Sequence, residues 1–358
     1  MNLNLMATLC PTGYGIFGYH VFKGLYDRGI NLSLFMMGED AVPWVDQAAV
    51  LAARRNTRFF DPQAPCLKIW QQFALADRIG RGKFVAFPIF ELDPLSKVDV
   101  HHMNSTDQIL VASHWAKEVC QRSGVTVPIF VVPLGVDPAV FYPTAPPPQG
   151  GPCIFLNVGK WEMRKGHDLL LATFNATFSE ADHVELWMMP EHYPHSPQEK
   201  SLWRDLALNS KLGRAGKIKI LDPVESHVAL AQIMRQVTCG VFPSRAEGFN
   251  LGLLEMMACG KPVIATNYSA HTEFCNAKNC LLIEGSRLTP ANDGRWFDGT
   301  RGNWLAWDDA QTEQLFRHLR HVYEHRASSE NINHAGLETA RRLTWERTVT
   351  AIINTALV

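Results

Sequence analysis

The sequence predicts an α/β protein built as two Rossmann-like units facing a central cleft. Three observations lead there. Strand-like and helix-like stretches alternate along the chain, the pattern of parallel sheets with helical crossovers. The alternation runs twice, and a run rich in Pro and Gly, residues 141–152, breaks it with the composition of a linker. At 358 residues the chain is long enough for two domains with separate cores. The expected division is 1–145 for the first unit and 151–335 for the second, with a helical tail from about 336 to 358.

Taken in order, the first half offers strands near Leu3–Leu9, Leu32–Met37, Phe84–Phe90, Ile109–Ala112 and Ile129–Val132. Helical stretches such as Phe17–Arg28 and His114–Arg122 lie between them. The second half restarts at Ile154–Val158 and continues with strands near Val184–Met188, Ile218–Leu221, Gly240–Phe242, Val263–Ala265 and Leu281–Ile283. Leu169, Leu170, Phe174 and Phe178 mark the apolar face of one intervening helix.

Composition narrows the function classes. With 46% hydrophobic and 19% charged residues the chain is globular. A formal net charge of −1 gives no global basic footprint, so nucleic acid is not the expected main partner. The local strip Arg54-Arg55-Asn56-Thr57-Arg58 reads first as a solvated helix end, with anionic lipid or nucleic acid as alternatives. The first ten residues lack a basic leader and read as a strand, and no apolar run is long enough to span a membrane. Eight scattered cysteines without a Cys-x-x-Cys pair read as small buried hydrophobes in a reducing compartment. The expected location is therefore the cytoplasm, with at most peripheral contact at the inner face of a membrane. No His-Glu-x-x-His and no strand-end Asp-x-Asp is present, so no structural or catalytic metal is expected. The absence of a Gly-x-Ser-x-Gly elbow sets serine hydrolysis aside.

The chemistry concentrates in the string from Phe242 to Thr266. Glu247 falls in a loop, Asn250 or Leu251 opens a helix, and Glu255 lies just over a turn inside it. Gly260 and Pro262 end the helix before the apolar strand Val263–Thr266. A helix opening offers unpaired N–H groups and a positive dipole end to a diphosphate. A carboxylate on either side can accept hydrogen bonds from hydroxyls. Phosphates between two polyols describe a sugar nucleotide. Upstream, Gly159-Lys160-Trp161-Glu162-Met163-Arg164-Lys165-Gly166 forms a strand-to-helix turn whose cations can neutralise phosphate. Gly13, Gly15 and Gly18 match Gly-x-Gly-x-x-Gly, and Glu39 or Asp40 stands where a dinucleotide site needs an acid, so NAD is the rival ligand. Glu91, in Glu91-Leu92-Asp93-Pro94, is a strand-end candidate facing the cleft, while Asp93-Pro94 alone reads as a surface turn.

The string Pro243-Ser244, Glu247-Gly248-Phe249, Glu255, then Ala258-Cys259-Gly260-Lys261-Pro262-Val263-Ile264-Ala265, resembles the signature of the retaining family-4 glycosyltransferases, whose fold is GT-B. Leu134-Gly135-Val136-Asp137 and Phe141-Tyr142-Pro143 look like further family segments; the resemblance thins between Asp40 and Lys83. It implies transfer of a sugar from a nucleoside diphosphate sugar to an acceptor hydroxyl with retention of configuration, and a role in carbohydrate biosynthesis. It implies that Glu255 binds the ribose, Glu247 contacts the transferred sugar, and the backbone of Gly248, Phe249, Asn250 and Leu251 holds the diphosphate. Lys165 matches the family lysine, and Lys160 stands where the family more often has arginine; both would bind the diphosphate. Gly15 would let backbone approach donor phosphates and acceptor. Many family members carry a histidine near Glu91, and its absence here leaves the acceptor side open. The family's last helix usually crosses back onto the first domain. No cofactor besides the donor is implied, and the acceptor is not identified. A sugar-nucleotide hydrolase or epimerase using the same donor site, and an inactive binding module, are the alternatives.

Overall fold

In the computed structural model, residues 1–38, 45–144, 150–190, 197–326 and 332–357 are described below. Glu39 and Asp40, the acids of the NAD reading, and residues 145–149 of the Pro-rich run lie outside them. The chain divides into two compact units. The first comprises Met1–Gly135, Gly299–Asn303 and Leu343–Val358; the second comprises Val136–Asp298 and Trp304–Arg342.

The first unit holds strands β1 (Asn2–Ala7), β2 (Asn31–Met36), β3 (Cys66–Lys68), β4 (Phe84–Ala86), β5 (Gln108–Val111) and β6 (Ile129–Val131). They form one parallel sheet in the order β2-β1-β3-β4-β5-β6. Leu3 faces Leu32 and Leu5 faces Leu34 across the first pair, and all four are buried. Both faces of such a sheet are covered by helices, so strands read as nearly continuous apolar runs. The helix Gly13–Asp27 packs against the C-terminal helix Trp345–Ile352, whose Trp345 ring stacks on His20 at 4.6 Å and on Phe17 at 6.2 Å.

The second unit holds β7 (Cys153–Val158), β8 (Val184–Met189), β9 (Ile218–Ile220), β10 (Cys239–Phe242), β11 (Val263–Thr266) and β12 (Leu281–Ile283). They form a second six-stranded parallel sheet, ordered β12-β11-β10-β7-β8-β9. Phe155, Phe174, Leu186, Val241 and Ile264 make its core with Leu315 and Leu319 of the long helix Asp309–His325. Leu170 and Phe178 join them, while Leu169 is only half-buried.

Some expectations change. β4 stops at Ala86, so Glu91 sits in irregular backbone five residues beyond the strand and not at its end. Asp93 is not a surface turn residue: it is buried, accepts a hydrogen bond from Arg122 at 3.1 Å and forms a bridge with Asn303. β3 and a two-stranded sheet of β13 (Leu288–Asn292) and β14 (Asp298–Leu305) were not expected. β3 has three residues, too few to show a period, and β13 carries a proline, which counts against a strand. Among the described residues no helix is long and apolar enough to cross a membrane. All eight cysteines are free, and seven are buried.

Candidate functional site

The order of the second sheet determines where its site forms. From β7 the chain winds outward through β8 and β9, then returns to lay β10 on the other side of β7. The loops after β7 and β10 therefore leave the sheet side by side at a topological switch point, where ligands of such folds bind. Main chain joins the two loops: Arg245 N donates to Arg164 O at 2.7 Å. Gly166, with φ of 72°, lies so close to Pro243 that a Cβ would stand 2.1 Å from its carbonyl oxygen. Only glycine fits there, on both counts.

Between these loops lies a buried ion cluster. The Arg164 guanidinium bridges two carboxylates, donating to Glu162 Oε2 at 2.8 Å and to Glu247 Oε2 at 3.0 Å. It also donates to Ala246 O at 2.8 Å. Lys165 Nζ pairs with Glu247 Oε1 at 2.9 Å, and Lys160 Nζ with Glu162 Oε1 at 2.7 Å. The side chains of Arg164 and Glu247 are 3% and 4% exposed, while those of Lys165 and Lys160 are 13% and 27% exposed. The arginine is thus the internal strut and the lysines line the rim. Buried carboxylates survive only when paired in this way.

Glu247 has further partners. Ser244 Oγ donates to its Oε1 at 2.7 Å, and its own N–H donates to Ser269 Oγ at 2.8 Å. Burial pushes its pKa upward, but Lys165, Arg164, the nearby His271 and the Ser244 hydroxyl prevail and hold it well below the usual carboxylate range. Glu162 follows the same logic: burial raises it, and Arg164 with Lys160 brings it below its ordinary value. His271 is buried and its pKa is lowered by that burial. Its Nδ1 lies 3.0 Å from Thr266 O, so Nδ1 carries the proton and Nε2 accepts from Asn250 Nδ2 at 2.9 Å. His167, whose Nε2 lies 2.9 Å from Lys160 O, is pushed down to about 4 by burial.

Asn250 is the N-cap of the helix Leu251–Ala258 and has a left-handed backbone, φ 78°. Its Oδ1 accepts from Leu253 N at 3.3 Å. Asparagine suits both tasks, since it tolerates this conformation better than most residues and caps well. Glu255 lies one turn into the helix and is buried.

Of the residues singled out from sequence, Lys165 and Glu247 touch, and Lys160 joins them through Glu162 and Arg164. Gly248, Phe249, Asn250, Leu251 and Glu255 follow on the same loop and helix. Gly15 and Glu91 belong to the first unit. There the Tyr14 hydroxyl donates to Ile89 O at 2.6 Å and accepts from Ile89 N at 3.2 Å, tying the glycine loop to the segment that carries Glu91. A Cβ on Gly15 would stand 1.9 Å from Cys10 O, whereas one on Gly13 would meet nothing within 4 Å. The glycine at 15 is therefore required by the loop's own packing.

Sequence reasoning assigned no site role to Glu162, Ser269 or His271, and it quoted Arg164 and Ser244 only within longer strings, without their contacts to Glu247. Arg164 and Glu162 had a signal: opposite charges interleaved with the two lysines in one short turn. Ser269 and His271 come from the short 3₁₀ segment Ser269–Glu273, which has no periodicity to mark it.

Residues 152–292 match the family model described as Glycosyl transferases group 1. The D-inositol 3-phosphate glycosyltransferase of Acidothermus cellulolyticus is 30% identical over 168 residues, 44% of this chain and 37% of that protein. Among solved structures, sucrose-phosphate synthase from Thermosynechococcus elongatus superposes with a TM-score of 0.73 at 15% identity, covering 99% of this chain and 98% of that one. Anabaena Alr3699/HepE in complex with UDP-glucose superposes with a TM-score of 0.67 at 15% identity, covering 99% of each chain. The fold is that of the GT-B glycosyltransferases.

Proposed function

We propose that the protein transfers a sugar from a nucleoside diphosphate sugar to an acceptor hydroxyl, with retention of anomeric configuration and without a metal. The observation that carries this reading is the buried Glu247, locked by Arg164 and Lys165 immediately before the helix that carries Glu255. The opening of that helix, with the backbone of Gly248–Leu251, receives the diphosphate. Glu255 accepts from the ribose hydroxyls. Lys160 and Lys165, the more exposed cations of the cluster, supply the counter-charge to the departing phosphate.

Glu247 acts as a fixed acceptor for a hydroxyl of the transferred sugar and not as a covalent nucleophile. Its oxygens already accept from Arg164, Lys165 and Ser244, and a carboxylate held so far below its ordinary pKa is a weak base. When Lys165 turns to the phosphates it frees an acceptor position on Glu247 for the sugar. The attacking hydroxyl then approaches the same face from which the phosphate leaves, and that phosphate helps take its proton. Gly15 is assigned to the donor phosphates and the acceptor by the family resemblance, whereas Glu91 stands where many family members carry a histidine and is proposed for the acceptor side in its place. Because the Anabaena relative was solved with UDP-glucose, a UDP-sugar is the first donor to test.

Kinetics of Glu247→Ala test the assignment. Turnover is expected to fall about 10²–10³-fold, the scale for losing one preorganised transition-state contact. Nucleotide affinity should change only a few-fold. A variant with wild-type turnover would remove Glu247 from the mechanism, and loss of wild-type activity in EDTA would overturn the metal-free reading.

A further inference from the structure

The first unit carries a surface that the donor site does not use. It is built on the helix Gln47–Asn56, which runs directly into the 3₁₀ turn Thr57–Phe59. The inner face, Ala49, Val50 and Ala53, is buried. The outer face presents Leu51, Arg55 and Arg58, spaced by four and three residues and so aligned along one side, and Phe59 follows Arg58 in the turn, also exposed. Arg54 is exposed beside them. Leu51 is 49% exposed and Phe59 91%, so this ring gains almost nothing from the fold. The loop carrying Arg78, Arg81 and Lys83 docks on the following segment: Arg81 N donates to Pro62 O at 2.6 Å. A Cβ on Gly82 would stand 2.3 Å from Ala64 O.

The surface thus gathers exposed arginines at 54, 55, 58, 78 and 81 with Lys83, in a chain whose formal net charge is −1. The carboxylates nearby are Asp61, Asp77 and Asp107. Asp61 is taken by Asn2 Nδ2 at 3.0 Å and Gln63 N at 2.9 Å, and Asp107 by Phe84 N at 2.7 Å. These hydrogen bonds leave the carboxylates charged, but the six basic side chains outnumber the three acids, and Leu51 and Phe59 are exposed beside Arg54, Arg55 and Arg58.

We propose that this face docks on an anionic lipid bilayer. The arginines and Lys83 meet headgroup phosphates, while Phe59 and Leu51 enter the boundary between headgroups and acyl chains. Nucleic acid shares the charge requirement but not the apolar one: Leu51 has no π face on which a base can stack. A bilayer accepts both side chains.

Co-sedimentation of the full chain with vesicles tests this, using phosphatidylcholine alone and phosphatidylcholine mixed with phosphatidylglycerol. Binding is expected only to the mixed vesicles, and it should weaken as salt rises. Arg55→Glu with Arg58→Glu should weaken it at least tenfold, from about fivefold for each arginine. Phe59→Ser with Leu51→Ser should weaken it roughly tenfold. Arg55→Lys with Arg58→Lys should retain it, which separates charge from misfolding, and thermal melts of all variants should match the wild type. Absence of sedimentation with either vesicle, or equal sedimentation with phosphatidylcholine alone, overturns the proposal. So does a result in which the charge reversals abolish binding to single-stranded DNA but leave vesicle binding unchanged.

Discussion

Each sheet sends its first strand into a turn beside a switch point, and the two turns are held by different forces. In the first unit the turn after β1 and the opening of the helix Gly13–Asp27, residues 10–18 together, have no charged side chain. It closes by steric fit: Gly15 lies against the backbone of Cys10, and a Cβ on Gly18 would stand 2.3 Å from Thr8 O. In the second unit the turn after β7 carries Lys160, Glu162, Arg164 and Lys165, interlocked with one another and with Glu247. A turn closed by fit has no room for an added atom. A turn closed by charge has no tolerance for a removed one. The second kind also supplies cations, which a diphosphate requires, and the first kind does not.

The contrast breaks most visibly at Arg164. Replacing it with Met keeps the bulk but removes the buried cation that two buried carboxylates share, leaving each with one partly exposed lysine, and the expected loss of stability is about 3–5 kcal/mol. Urea unfolding checks this; a loss under about 0.5 kcal/mol would show that Glu162 and Glu247 find other partners. On the other side, Gly15→Ala should cost about 1–3 kcal/mol by overpacking, while Gly13→Ala should stay within about 0.5 kcal/mol. Equal effects at the two glycines would remove steric fit as the cause.

A smaller effect sharpens the charged side. The folded His167 ring takes up its proton only at about 4, whereas an unfolded histidine does so near 6.5. Between those values the unfolded state binds the extra proton. Stability is therefore full above about pH 6.5, falls as pH drops toward 4, and levels off below, with a slope of at most about 1.4 kcal/mol per pH unit from this group. His167→Gln should flatten that slope in unfolding measured between pH 7 and pH 5. An unchanged slope would place the acid sensitivity elsewhere.

These two turns also show what the chain reveals before it is folded. The loop and helix from Ser244 to Ala258 were legible because Asn250 or Leu251 opens the helix and Gly260-Lys261-Pro262 stops it, while Glu247 and Glu255 were singled out by the resemblance of the whole string to a family signature. Lys160 and Lys165 were legible as cations of a turn. Arg164 was legible as a charge of the same turn but not as its buried strut, since a charged side chain in a polar turn reads as solvated until β10 delivers a second loop to bury it. His271 escaped for the same reason: its role depends on Asn250, twenty-one residues away, and not on its neighbours. The alternation of strands and helices outlined both sheets, yet β3 was lost because its pairing with β1 and β4, and not its own sequence, makes it a strand.

The central claim is a nucleotide site built on the charged turn, and calorimetric titration of UDP, in EDTA, into wild type and Glu255→Ala tests it most directly. Saturable binding by the wild type is expected, with a loss of roughly ten- to a hundredfold in the variant, the worth of hydrogen bonds to one charged group. Equal affinity in both proteins, or binding of NAD with none of any nucleoside diphosphate, would contradict it.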